Sequence, residues 1–280
     1  MQSGQASRTA LGAAGHRAAH QVLERGFIFS DPLALRILGP EAEEAVGEAQ
    51  REPHRRGLRL FIAVRTRFAE DALAAAVARG VSQLVVLGAG LDTYAYRGPS
   101  SDRLRIFEVD HPSTQAWKRE RLAAASIAIP EALTFAPVDF ERAGLAEGLA
   151  AAGFDPGRQT FFTWLGVVPY LTEPAIFATL GFIAGLPGGA HVAFDYSNPT
   201  ESIVDPGRRA AHEALAARVA AAGEVFRTHF ETLALGARLK ALSFCEIEDL
   251  GPAEIAARYF PGRTSSASGG GGHVVRATTV

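Results

Sequence analysis

VVLGAGLDT, residues 85–93, reads as the end of a buried strand running into a tight turn. Leu84 to Leu87 is a continuous apolar run, as a strand covered on both faces must be. Gly88 ends it, and Gly90 can take a positive φ without steric cost, so a ligand can approach the main chain closely. In parallel sheets such turns lie at the carboxyl edge, where ligands bind. The dinucleotide fingerprint needs a third glycine so that a helix N-terminus meets a pyrophosphate. Thr93 holds that place here, next to Asp92. A carboxylate is a poor neighbour for a pyrophosphate and a good one for a cationic or hydroxyl-bearing ligand. The departure favours a nucleoside without phosphates, such as S-adenosylmethionine. A tight turn with no ligand is the bland alternative.

Outward from this turn, short apolar runs alternate with helix-length segments. Leu104 to Asp110, Leu133 to Phe140, Thr160 to Val167 and Ala190 to Ser197 read as further strands. Segments 113–125 and 173–184 read as helices between them. That alternation indicates a parallel sheet covered by helices on both faces. An Ala-rich helix over about 208–222 follows, then ALSFCEIEDL as a strand, a helix at 252–259 and a terminal strand after GGGG. Seven strands with a late, close final pair fit an antiparallel hairpin at the sheet edge. Residues 1–80 carry no strand-like run. Leu11, Ala14, Ala18 and Val22 recur at helical spacing before Gly26, Asp31-Pro32 suits a helix start, and 58–78 reads as a longer helix ending at Arg79-Gly80. The expected division is a helical cover, 1–80, on one Rossmann-like domain, 81–280.

Two more strand ends carry acids. Asp110, in FEVDHP, stands 22 residues after Gly88, where an acid can accept both hydroxyls of a ribose. Capping the helix that starts near Pro112 is its alternative role. Glu108 lies two positions earlier, on the same face of the strand. In PVDF, Asp139 suits an adenine amino group and Phe140 the ring; a capping Asp beside a core aromatic is the alternative. Three consecutive strands ending in glycine or carboxylate form one ligand edge.

Composition bounds the rest. The chain has 280 residues, with 28 Lys+Arg against 30 Asp+Glu and a formal net charge of -2, which disfavours a broad nucleic-acid-binding surface. One cysteine, Cys245, allows no internal disulfide and no cysteine-based metal site. No apolar run reaches 18 residues and the start MQSGQASRTA lacks an apolar signal segment. The expectation is a soluble, cytoplasmic protein of a reducing compartment, with neither metal nor membrane partner.

VVLGAGLDTYAYR, FEVDHPSTQAWKRERL, PVDFE and WLGVVPYLTEPAI resemble the leucine carboxyl methyltransferase-like family of class I S-adenosylmethionine-dependent methyltransferases, in its bacterial O-methyltransferase branch. The likeness runs from about Ser7 to the C-terminus. It implies a seven-stranded, mostly parallel Rossmann-like α/β sheet with an N-terminal helical lid. It also implies S-adenosyl-L-methionine as cofactor, Gly88 at its methionine part, Asp110 on the ribose, and Asp139 and Phe140 at the adenine; Gly90 joins the cofactor-binding residues through the turn itself. Arg65 in VRTRFAED matches an arginine that pairs with the cofactor carboxylate, and Arg67 stands two residues away as an alternative. Leu165-Gly166 replaces the family's Glu-Gly, which puts that one cofactor contact in doubt.

The implied activity is O-methylation of a carboxylate or hydroxyl on a small molecule. A carboxylate needs no base, whereas an alcohol or phenol does. His111 and His191 are the histidines considered, and neither has a spacing that marks it as that base; Trp164 and Tyr170 either line the acceptor pocket or belong to the core. Two other classes use the same edge: a nicotinamide-dependent dehydrogenase, disfavoured by the missing glycine, and a non-catalytic adenosyl-binding protein.

Overall fold

The computed structural model describes residues 8–97, 104–138, 144–221, 223–261 and 271–280. They fall into two compact units, Met1–Arg67 with Val81–Asp155 and Phe68–Gly80 with Pro156–Val280.

The first unit opens with α1 (Arg8–Leu23), α2 (Ala34–Leu38), α3 (Glu41–Arg51) and the start of α4 (Arg56–Ala78). Gly26, at φ 60°, ends the first turn of chain after α1 by donating its N–H to His20 O, a left-handed stop of the kind glycine permits. Helix α2 starts at Ala34 rather than at Pro32, and Asp31 bonds only two residues ahead, to Leu33 N at 3.0 Å. Asp31 Oδ1 keeps this local bond ahead of the helix, while Oδ2 turns to tertiary partners.

Next come β1 (Gln83–Leu87), α5 (Tyr94–Arg97), β2 (Arg105–Asp110), α6 (Pro112–Ala124), β3 (Leu133–Pro137) and α7 (Leu145–Ala151). Every residue of β1 is buried, which its unbroken apolar run required. It pairs in parallel with β2, Leu87 opposite Val109, and β2 pairs in parallel with β3, Asp110 opposite Pro137. Ala14 and Ala18 of α1 and Ile37 and Leu38 of α2 share a core with Leu91 of the glycine turn and Leu122 of α6. Small residues on α1 let that helix approach the turn closely.

The second unit holds β4 (Thr160–Trp164), α8 (Glu173–Ala184), β5 (Ala190–Ser197), α9 (Pro206–Ala221), α10 (Thr232–Ala241), β6 (Glu248–Leu250), α11 (Pro252–Tyr259) and β7 (Gly272–Thr278). Strand β5 pairs in parallel with β4 and antiparallel with β7, and β7 pairs antiparallel with the short β6. The strand order is β3-β2-β1-β4-β5-β7-β6, a seven-stranded, mostly parallel sheet as expected. Only three residues of ALSFCEIEDL form strand, and Ala241 ends α10, a helix the sequence pattern did not show. Buried polar bonds fix that short edge: Tyr196 Oη donates to Asp249 Oδ2 at 2.6 Å, and His273 Nδ1 lies 2.8 Å from Asp249 Oδ1.

Gly188 is fixed by close approach, because a Cβ there would lie 2.5 Å from Gly157 C and 2.6 Å from Arg158 C. Gly188→Ala is expected to lower stability in urea unfolding by about 1–3 kcal/mol, the usual cost of overpacking. At Gly181 in α8 a Cβ meets nothing within 4 Å, and Gly181→Ala should raise stability by up to about 1 kcal/mol.

Candidate functional site

The turn after β1 is held from β2. Gly88 and Gly90 take φ of 66° and 43°, and Gly88 N and Ala89 N donate to Val109 O at 2.8 and 3.1 Å. Gly90 N donates to Asp110 Oδ2 at 2.6 Å, while His111 N donates to Asp110 Oδ1 at 2.7 Å. The structure therefore joins Gly88, Gly90 and Asp110 in one hydrogen-bonded corner. Burial pushes the Asp110 carboxyl up, and the Gly90 and His111 N–H groups pull it down. The capping role falls to His111, whose Nδ1 accepts from Ser113 N at 3.2 Å at the start of α6. A Cβ on Gly90 would lie 3.0 Å from Ala10 Cβ on α1, so the turn is tightly covered there.

Asp92 supplies its own anion where a pyrophosphate would have to sit. Its Oδ1 accepts from Tyr94 N, the first residue of α5, at 2.8 Å. Thr93, in place of a third glycine, donates its hydroxyl to Asp31 Oδ2 at 2.7 Å. Asp31, 1% exposed, also lies 3.5 Å from Arg17 Nε and 3.7 Å from Arg97 Nε. Arg17 Nη2 in turn donates to Leu91 O at 2.5 Å. One buried carboxylate with two guanidinium partners thus ties α1 to the turn.

Beneath Asp110 on β2, Glu108 is fully buried with Lys118 Nζ 2.7 Å from its Oε2, and Tyr96 Oη donates to the same oxygen at 3.2 Å. Burial pushes the Glu108 carboxyl up to about 7, with Lys118 opposing. Alternation along the strand puts both acids on one face, as their spacing required.

Of the other expected contacts, Arg65 stands half-buried on α4, while Arg67 is exposed with Nη1 3.5 Å from Ile28 O. Asp139 and Phe140 lie outside the described residues; the chain leaves β3 with Val138 N donating to Asp110 O at 2.9 Å. After β4, Leu165 is half-buried and Gly166, at φ 72°, donates its N–H to Asp195 Oδ1 at 2.5 Å. Trp164 is 2% exposed against Phe194 and is a core residue. His191 is buried and stacked on Phe161, with its pKa lowered by burial.

Beyond the carboxyl ends of β4 and β5, the second unit carries a group of half-buried rings that sequence spacing did not reveal. Tyr170 packs on Phe226 with centroids 5.3 Å apart, and Phe226 packs on His212 at 6.2 Å and His229 at 6.3 Å. The two imidazoles are 5.5 Å apart. Arg227 N on Pro169 O and Phe230 N on Ser197 O hold this segment to both strand ends. Residues 170, 212, 226 and 229 have no common period, so only the fold assembles them.

The leucine carboxyl methyltransferase family pattern matches residues 10–184. YktD of Bacillus subtilis, named for S-adenosyl-L-methionine-dependent methyl transfer, is 32% identical over 206 residues, covering 73% of this chain and 67% of YktD. A Frankia alni protein named for the same chemistry is 35% identical over 190 residues, covering 64% of each chain. The chain therefore spans about two thirds of the length of these relatives. A solved structure, a possible exported protein of Bordetella parapertussis, aligns over 98% of this chain and 97% of its own at a TM-score of 0.50 and 12% identity, a likeness of fold alone. Among the described residues no helix is long and apolar enough to cross a membrane.

The Glu108 environment has a measurable consequence. A carboxyl raised in the folded protein stabilises fully below its unfolded value of 4.5, and that stabilisation is lost as pH rises through about 7. Glu108→Gln is expected to flatten the decline of urea stability between about pH 5 and about pH 8. A slope equal to that of the unaltered protein would show that Glu108 does not titrate there.

Proposed function

This chain belongs to the leucine carboxyl methyltransferase family, and on that footing we propose that it transfers the methyl group of S-adenosyl-L-methionine to a carboxylate or hydroxyl oxygen of a small molecule. The observation that carries this reading is the corner made by Gly90 and Asp110. A carboxylate offers about four lone-pair sites, and Asp110 spends two on backbone N–H groups. Its remaining sites suit the two hydroxyls of a ribose. Asp110 is partly exposed, so they are reachable. Gly88 and Gly90 leave main chain without side chains for the methionine part.

The donor set fits a cationic nucleoside. Asp92 and Asp110 place negative charge at the strand ends, whereas a dinucleotide would meet the Asp92 carboxylate at the start of α5. Arg65 would pair with the cofactor carboxylate, and Asp139 with Phe140 would receive the adenine. When bound, the cofactor supplies an electrophilic methyl carbon. The protein then has to orient the acceptor oxygen and exclude water. A lid formed by residues 1–80 would serve that end, supported by the contact of α1 at Gly90 and the Arg17 bond to Leu91. The near-neutral net charge supports a small-molecule acceptor over nucleic acid. The same reading puts the enzyme in the cytoplasm.

Calorimetry with S-adenosylhomocysteine and with NAD tests the reading, since the protein should bind the first and not the second. Transfer of labelled methyl to acceptors separates an enzyme from an adenosyl-binding protein that merely retains the site. Asp110→Ala is expected to weaken S-adenosylhomocysteine binding by about 10- to 100-fold while unfolding remains cooperative. Unchanged affinity would leave Asp110 as a brace for the turn alone. Hydrogen exchange in α1 should slow when S-adenosylhomocysteine is added, and unchanged exchange would sink the lid.

A further inference from the structure

Glu108 and Lys118 form a buried pair that the cofactor reading above leaves without a task. They are 0% and 1% exposed. Gln115 Nε2 donates to Glu108 O at 2.8 Å, which ties α6 to β2 beside the acids. Lys118 stands one helical turn further along α6. Its Nζ lies 2.7 Å from Glu108 Oε2 and 5.2 Å from the centre of the Tyr96 ring. Desolvation offsets much of the attraction within a buried ion pair, and apolar side chains of similar volume are often as stable. Stability alone is therefore a weak reason for a lysine at this place.

A stronger reason lies two residues along the strand. Asp110 shares a face with Glu108, about 7 Å further on. Burial pushes its carboxyl up; the Gly90 and His111 N–H groups pull it down, and so does the Lys118 ammonium. The two acids have unlike surroundings. Asp110 is partly exposed and has two backbone donors. Glu108 Oε1 meets no hydrogen-bond partner among the described residues, and a bare carboxylate oxygen in the interior is unfavourable. Glu108 is thus the acid that takes up a proton first as pH falls, and burial raises it to about 7 with Lys118 opposing. Once Glu108 is neutral, Lys118 has no anion in contact among the described residues, and its field falls on Asp110.

The other titratable groups around this face are few. Asp92 of the glycine turn adds negative charge toward Glu108 and Tyr96. Tyr96 on α5 is pushed up by burial and by Glu108, so it stays a hydroxyl donor, and Arg119 on α6 acts on it with the opposite sign. His111, beside Asp110, has its Nδ1 2.7 Å from Ser113 Oγ. Two acids whose surroundings part them in this way take different tasks.

Resting on the cofactor reading above, we propose that Lys118 is a positioning residue for the nucleoside. Seated on neutral Glu108, it supplies the counter-charge that keeps Asp110 ionised. Two of the lone-pair sites on Asp110 are already taken by N–H groups. Protonation would turn a further site into a donor, so only the ionised form keeps acceptors for both ribose hydroxyls.

The test uses the full chain and S-adenosylhomocysteine, with affinity read by calorimetry. Lys118→Met keeps the length of the side chain and removes its charge. A nearby opposite charge lowers a carboxyl by about 1–3 pH units, so Asp110 in the variant should hold its proton to higher pH. Relative to the unaltered protein, the variant should bind about tenfold more weakly at about pH 6. By about pH 8, where Asp110 ionises unaided, the deficit should shrink to within about twofold. A deficit of the same size at both pH values would make Lys118 a packing residue and overturn the proposal, as would no deficit at all. If Lys118→Met does not fold, carboxyl carbon-13 NMR of the unaltered protein decides. Glu108 should take up its proton at higher pH than Asp110, and the reverse order would overturn the proposal. Failure of the cofactor reading would show separately, as absence of S-adenosylhomocysteine binding by the unaltered protein at every pH.

Discussion

The hydrogen bond from Gly90 N–H to Asp110 Oδ2, 2.6 Å long, is the constraint around which the first unit is organised. A carboxylate only partly open to water needs donors, and here two of them are backbone N–H groups. The bond joins the turn after β1 to the end of β2, so the turn cannot open without exposing an unmet charge. It also explains the conformation of Gly90, whose φ of 43° aims the N–H across the strand gap. A residue with a Cβ would meet Ala10 at that point, so the identity of residue 90 and the path of α1 are set together.

Asp31 extends the same logic to the other side of the turn. It is buried, accepts from Thr93 Oγ1, and has two arginines near it, one from α1 and one from α5. Buried ions stabilise little on their own, because the desolvation penalty offsets much of the attraction. Their effect here is positional, since Arg17 of α1 reaches both Asp31 and Leu91 O. Glu108 and Lys118 do the same under β2, with Tyr96 as a third partner. Asp31, Glu108 and Asp110 are therefore each bound to backbone, guanidinium or ammonium groups. The nearly balanced charge of the whole chain conceals that ordering.

Much of this architecture was legible from residues alone. The apolar run 84–87, the glycines after it, the acid at 110 and the reversed pair at the end all follow from local periodicity and from the steric freedom of glycine. The range 241–250 was misread because its apolar residues alternate as a strand would. The structure gives Leu242 and Ser243 to the end of α10 by capping its carbonyls and confines strand to Glu248–Leu250. Asp31 before Pro32 keeps its local bond to Leu33 N through Oδ1, while Oδ2 takes tertiary partners that no local rule supplies. His111 resolved the other way, as a capping residue, while Asp110 stayed free of that task.

Sequence by itself determined the run of strands β1 to β5, the glycine turn at 88–90 and the acid at the end of β2. Each of these depends on neighbours within a few residues, where steric and hydrogen-bonding rules are local. Only the tertiary structure decided which partner each buried charge has, because Asp31 and Thr93 are 62 residues apart and no local rule pairs them. It alone brought Tyr170, His212, Phe226 and His229 together, since rings from a turn, a helix and a loop meet only when β4 and β5 are aligned. Residue chemistry limits what a site can do, and packing over long sequence separations selects which residues form it.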